Sequence, residues 1–411
     1  MKYIFSLFIL ATVSVVSAQT QLDISGIGSW PLLHNSVQEW ERGAFNVSTD
    51  PSNQNDLSWG VYNPSDHNVY GDSLYIIQLA DNSYRQLYVE QLVNGMFTFH
   101  YAEIDGSNAQ TVVIDKDDFQ GKNFGHYSFY FEAEDHTIEP LTTDWDMVFM
   151  RYNRPGDHYG VAGVLTNKHV SVAEADGIDT ALVDPSALSY SNDINIIGYD
   201  WKQFGSSGFM VVPDRSYYLI DETGDTTTLI FHSFSGSSGG GICDFTINGQ
   251  PQTIQMGAGY VNRVFYDLNN GVTHTSARSG WDIAFDGTNF GTAIRTNEEI
   301  GTSLWVYPGA DASAWTGNAS LIENSTEVSF VSIFPVPMDN TLEINAGVVT
   351  EVSVKIELYD MTGRLMTSNK LDLNSGVNST SLDVSSLPTG VFNLVMTDDK
   401  GALLHSQKVV K

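Results

Sequence analysis

Among the ten histidines, four that stand beside apolar strand sequence are candidates for an imidazole that ligates a metal. His158 and His169 flank the run "GVAGVL", His232 lies within "IFHSF", and His126 opens the aromatic run "HYSFYF". A haem iron asks for one or two neutral imidazoles facing an apolar slot. His158 with His169 is the nominal haem-binding pair. For any one of these rings, an exposed or hydrogen-bonded structural role is the competing reading.

A second constellation is nucleophilic. Gly236-Ser237-Ser238-Gly239-Gly240 fits a GxSxG pattern, and His169 lies upstream as a base for Ser238. A hydrolase elbow needs a strand running into a helix, and a trypsin-like site needs far more chain between histidine and serine. Neither context is present. The stretch aligns instead with the shorter "LVNGMF" and reads as a lengthened hairpin loop. HExxH, Walker and Rossmann patterns are absent. The sole cysteine, Cys243, allows no intramolecular disulfide and no cysteine-based metal centre, and its expected state is a buried small hydrophobe. Carboxylate pairs of the glycosidase kind are defined by a spatial separation that sequence does not carry. The expectation is a non-enzymatic protein without catalytic residues.

The elements that would position these side chains are strands. Runs of four to eight β-branched and aromatic residues recur between Gly, Asn and Asp, and few segments keep a helical period, so the fold class is all-β. Two repeats are visible. "WDMVF" from Trp145 matches "WDIAF" from Trp281, each preceded by an aromatic strand ("HYSFYF", "RVFYDL") and followed by a Thr-Asn pair ("GVLTN", "AIRTN"). "WGVYN" from Trp59 likewise matches "WKQFG" from Trp201, and "DSLYIIQLADNS" from Asp72 matches "DRSYYLIDETGD" from Asp214 without a gap. In that register residue 90 is the counterpart of His232, and it is Glu, so a ligand role for His232 would be private to one repeat. Alternation puts Trp145, Met147 and Phe149 on a core face and Asp146 with Val148 opposite, with Asp146 and Asp282 accepting from backbone donors of a neighbouring turn.

The order of half-units along the chain suggests a discontinuous domain, residues 19–115 with 250–316, and an inserted domain, 116–249. A linker, 317–327, leads to a third unit, 328–411, whose alternating strands read as an Ig-like β-sandwich. Residues 1–18 read as a secretory signal peptide. No later apolar run is long enough for a membrane helix. A net charge of −30 disfavours nucleic acid and anionic membrane surfaces as partners. The runs "DPSNQND" and "NPSDHN" lack calcium-loop spacing and read as turns.

Two resemblances follow from these motifs. The third unit, with "SIFPVPMDNTLEI", "ELYDMTGRL", "LDVSSLPTGVFNLVM" and the terminal "QKVVK", resembles the C-terminal sorting domain of the type IX secretion system of Bacteroidetes. That resemblance implies export, the secretion machinery as partner of residues 328–411, and a secreted or outer-membrane surface location. The body, through its aromatic strands, Trp-Asp strands and Thr-Asn turns, resembles the HmuY-like haem-binding family. This resemblance implies two HmuY-like β domains and haem as the candidate cofactor. The family's own haem ligands match no motif of this chain, so His158 and His169 rest on chemistry alone. The alternative is a surface adhesion module for glycan or protein that uses exposed aromatic residues and no haem. A fold that serves the cell-surface layer without a ligand is a third reading.

Overall fold

A computed structural model describes residues 21–317, 328–334, 338, 340–348, 351–360, 364–399 and 403–411. The signal segment and residues 318–327 of the linker lie outside these. The fold is all-β, and its helical turns among the described residues are single 3-10 turns of three or four residues.

The first repeat lays down eleven strands among the described residues: β1 (Gly60–Asn63), β2 (Asn68–Gly71), β3 (Ser73–Gln78), β4 (Tyr84–Val93), β5 (Met96–Glu103), β6 (Gln110–Asp115), β7 (Phe124–Ser128), β8 (Ala133–Asp135), β9 (Met147–Asn153), β10 (Gly160–Thr166) and β11 (Ser171–Asp176). The second lays down eleven more in the same order: β12 (Lys202–Gly205), β13 (Gly208–Val211), β14 (Arg215–Ile220), β15 (Thr226–Phe234), β16 (Ile242–Ile247), β17 (Gln250–Gln255), β18 (Asn262–Asp267), β19 (Gly271–Ala277), β20 (Ile283–Asp286), β21 (Ile294–Thr296) and β22 (Ser303–Asp311). The repeat extends to irregularities. The β4–β5 ladder slips at Glu90 and the β15–β16 ladder at His232, so the two aligned residues occupy the same bulge.

Turn chemistry sets the hairpins. Asn94-Gly95 joins β4 to β5 with both residues at positive φ, the conformation that a tight two-residue hairpin turn requires. At the matching place between β15 and β16 the chain runs through Ser235–Gly241 instead. The glycine-serine stretch is thus a lengthened hairpin loop, with Ser238 exposed in it.

The sheets exchange strands between the repeats. β7 pairs with β20 and β3 with β22, whereas β9 pairs with β18 and β11 with β14. The last three strands of each repeat therefore complete the sheets of the other. Two of these pairings keep to the boundaries expected at 116 and 250, β3 with β22 joining the two outer segments and β11 with β14 inside the insert, but β7 and β20 fall on opposite sides, as do β9 and β18, and β16 and β17. Connection length explains the difference. For β20 to pair with its own aromatic strand β18, the chain would cross from β19 over β18 to its far edge, a connection of about a dozen residues. Only residues 278–282 lie between β19 and β20.

Packing follows the exchange. One core joins Tyr75, Ile77, Leu87, Val89, Phe97, Phe99 and Tyr127 to the incoming Ile283, Phe285, Ile294 and Leu304. The other joins Tyr217, Leu219, Leu229, Phe231, Phe245 and Tyr266 to the incoming Met147, Phe149, Val164 and Val172. Four such side chains supply on the order of 10 kcal/mol of burial. That matches the roughly 5–15 kcal/mol net stability of a whole domain. A third core lies between the four-stranded sheets β21-β20-β7-β8 and β10-β9-β18-β19, built from Trp40, Phe124, Trp145, Val148, Met150, Phe265, Trp281 and Ala284. The Trp-Asp strands are thus buried on both faces. Trp145 joins Val148 in this shared core while Met147 and Phe149 face the other way, against the expected alternation, because β9 begins only at Met147.

The C-terminal unit forms two sheets, three strands (Val328–Phe334, Thr341–Val348, Gly376–Asp383) and four (Leu365–Leu373, Val352–Asp360, Val391–Asp398, Leu403–Val410). They share a core of their own that includes Leu342, Ile344, Val354, Ile356, Leu394 and Met396.

Candidate functional site

Each Trp-Asp pair forms a joint where one repeat grips the other. The backbone N–H of Asp146 donates to the Tyr266 carbonyl at 2.9 Å, and its Oδ2 accepts from the Leu268 N–H at 2.7 Å. Asn167, from the Thr-Asn pair, closes the joint by donating Nδ2 to the Trp145 carbonyl at 2.9 Å and its N–H to the Asp146 carbonyl at 2.8 Å. The second copy repeats every bond: Asp282 N–H to Tyr127 O at 2.8 Å, Phe129 N–H to Asp282 Oδ2 at 2.8 Å, and Asn297 to Trp281 O and Asp282 O at 2.9 and 2.8 Å. The motif is a structural clamp whose carboxylate satisfies a buried backbone donor.

The copies differ two residues after the asparagine. His169 donates through Nε2 to Asp146 Oδ1 at 2.9 Å, while at the matching place Glu299 pairs with Arg263. Burial pushes the Glu299 carboxyl up, and Arg263 opposes this.

Between the two joints lies a cavity of about 60 Å³. Its walls include Trp40, Trp145, Trp281, Phe124 and Phe265, with His126, Glu139, Arg263 and Arg295 among its polar residues. His126 sits on β7, 4.7 Å edge-on to Trp281, and Arg263 lies over the same indole at 4.6 Å. Burial, with Arg263 and Lys122 nearby, holds the His126 imidazole well below its usual range, hence neutral. Burial pushes the Glu139 carboxyl up to about 7, although it accepts from the Asn123 N–H at 3.0 Å. Arg295 binds the preceding segment in place by donating to the carbonyls of Ser36, Glu39 and Trp40. Five buried atoms of lining residues have no protein partner: His126 Nδ1, Trp145 Nε1, Trp281 Nε1, Thr296 Oγ1 and Glu299 Oε2. The space is large enough to admit water, the usual partner of such buried polar atoms.

The nominal haem pair does not meet. His158 stacks on His34 with ring centroids 3.4 Å apart, and His34 Nδ1 lies 3.4 Å from Glu298. His169 is bound to Asp146 at the far end of β10, across seven strand residues, roughly 20 Å. His232 is exposed beside Thr246. His126 does face an apolar wall, but the cavity there is far below the 300 Å³ or more of ordinary cofactor pockets. A roomier open groove of about 550 Å³ between Tyr152, Glu174, Ser191, Tyr199 and Asp200 has no histidine in its lining. These residues do not fit a bis-imidazole haem. Cys243 is buried, and burial drives its thiol pKa upward.

Sequence reasoning did not single out Glu139, Arg263, Arg295 or Glu299. They lie in three separate stretches with no pattern that links them, and the shared core between the exchanged sheets is what gives them a common setting.

Comparison with known proteins bears on the C-terminal unit. None of the curated proteins matches the chain. Among solved structures the chain is similar to a calcium-binding mutant of Bacteroides uniformis beta-glucuronidase 2, at 12% identity over 58% of this chain and 31% of that one, with a TM-score of 0.15. It is similar to dimeric latent PorU from Porphyromonas gingivalis at 12% identity over 83% and 30%, TM-score 0.18. A tetra-tandem repeat in the extending region of a large adhesion protein aligns at 12% identity over 82% and 91%, TM-score 0.16. The chain spans under a third of the length of the first two. At these TM-scores none of the three carries an argument about fold or activity. Among the described residues no helix is long and apolar enough to cross a membrane. Residues 332–411 match the family described as "Secretion system C-terminal sorting domain", so the chain carries a type IX sorting domain, which indicates export to the cell surface or the medium.

Proposed function

We propose that the exported body is a non-enzymatic surface-binding module, for glycan or protein, that works without haem. The observation that carries this is the display of large aromatic side chains outside every core. Phe290 in the β20–β21 loop is 97% exposed, Tyr130 beyond β7 is 83% exposed, and Phe204 on β12 is 78% exposed. Although Phe204 meets Phe209 edge-on and Tyr130 meets Phe131, most of each ring stays in water, where stacking on a sugar face or a protein surface uses it. The motifs with chemical potential are meanwhile engaged in structure: Asp146 and Asp282 in the joints, His169 on Asp146, His158 on His34. The Trp-Asp and Thr-Asn motifs support a HmuY-like ancestry for the body. Haem capture gains no support from the placement of the histidines.

The test is adherence of cells displaying the chain to glycan-coated and matrix-protein-coated surfaces, with a haemin titration of the purified chain in parallel. The reading expects adherence that falls when Phe290, Tyr130 and Phe204 are changed to serine, and a haemin spectrum that stays that of the free compound. A saturable low-spin spectrum lost in His158→Ala or His169→Ala would instead establish haem capture.

A further inference from the structure

The turn Lys116–Phe119, strand β8 and the residue after it bring together three side chains that neither joint nor cavity uses: Asp118, Glu134 and His136. One ligand atom from each lies within 4.8 Å of the other two. Glu134 and His136 are two positions apart along extended chain, so both side chains leave on one face. Asp118 approaches from the preceding turn. The imidazole is already oriented, stacked on Phe119 with centroids 5.6 Å apart and planes 14° from parallel.

Two further observations point to a missing partner. Glu134 Oε2 and His136 Nδ1 are buried polar atoms without a hydrogen bond, although Glu134 Oε2 lies 3.4 Å from His136 Nε2. Buried polar atoms are nearly always satisfied. Acidic charge also crowds Glu134: Asp115 and Asp118 both act on it as like charges, with the cation Lys122 donating to the His136 carbonyl and acting on His136. Solvated acidic turns are common, but this one buries a carboxylate oxygen with no hydrogen bond, 3.4 Å from the His136 ring.

We propose that Asp118, Glu134 and His136 bind a divalent cation of the zinc class, with water in the remaining position. Zinc bonds of about 2.1 Å place tetrahedral ligands about 3.5 Å apart. The group reaches that spacing by closing about 1 Å, which rotation of the exposed Asp118 provides. One nitrogen donor and three protein ligands suit zinc and not calcium, which takes six to eight oxygens. His136 is the neutral ligand, and Glu134 gives up any proton it holds when the cation enters.

Titration of the metal-free full chain with Zn²⁺, followed by calorimetry, tests this. Saturable binding is expected, weakened about tenfold or more by His136→Ala and by Glu134→Gln. Asp118→Asn, at an exposed position, should weaken it while leaving the unfolding temperature of the metal-free chain unchanged, which separates lost ligation from lost folding. No saturable binding, or equal affinity in all three variants, overturns the site. Saturation by Ca²⁺ with no response to Zn²⁺ overturns the assignment of a nitrogen ligand.

Discussion

Asp146 accepts a hydrogen bond at 2.7 Å from the backbone N–H of Leu268, 122 residues further along the chain, and Asp282 does the same for Phe129, 153 residues back. Both acceptors sit at the point where one repeat hands its last strands to the other. Removing either carboxylate leaves a buried N–H unpaired, at a cost of about 1–3 kcal/mol. Asp146→Ala and Asp282→Ala should each lower the midpoint of urea unfolding accordingly, with asparagine at either position recovering part of the loss. Variants within about 0.5 kcal/mol of the parent, as for neutral surface changes, would show that the clamps contribute nothing.

Glu139 makes stability depend on pH. Its carboxyl, pushed up to about 7 by burial, holds a proton in the folded state through a range where the unfolded chain has released it. The folded state then binds more protons, so stability falls as pH rises from about 4.5 to about 7. Glu134 shifts in the same direction. Glu139→Gln keeps an oxygen for the Asn123 N–H and removes the charge. It should exceed the parent in stability at pH 8 by on the order of 1–3 kcal/mol, with the gap closing toward pH 4. A gap that does not change with pH would contradict the assignment.

The displayed aromatics should be separable from folding. Phe290→Ser, Tyr130→Ser and Phe204→Ser, each at a highly exposed position, should shift stability by less than about 0.5 kcal/mol. The same changes should reduce adherence. Loss of folding in any of them would mean that the ring is a packing residue.

Deleting residues 328–411 should abolish surface delivery without altering the rest of the fold, because the buried residues of that unit form a core among themselves. Fractionation of cells expressing the shortened chain reads the first effect, and thermal unfolding of the purified protein reads the second. Normal display of the shortened chain would contradict the sorting role.

Much of this architecture is legible in the sequence. The ungapped match of Asp72 with Asp214 leads to the shared bulge at Glu90 and His232, and the Trp-Asp and Thr-Asn pairs mark equivalent joints. The exchange itself is not carried by any motif, since β-pairing partners are set by connection lengths and edges rather than by residue type. The cavity was illegible for a related reason. His126, Glu139, Arg263 and Glu299 come from four separated stretches, and only the packing of two exchanged sheets brings them to one wall. Glu134 and His136 do show their alternation in "EDH", but Asp118 arrives through a turn sixteen residues earlier that no local pattern links to them.

The exchange of strands is tested most directly by cutting the chain between the repeats. The connection from β11 to β12 exposes Ile178 and Leu182, so a protease site placed at 178–188 allows a single cut. Each fragment then carries strands of both large cores, and the two should remain together through native size exclusion and separate only in denaturant. Fragments that part under native conditions as two folded units would contradict the exchange.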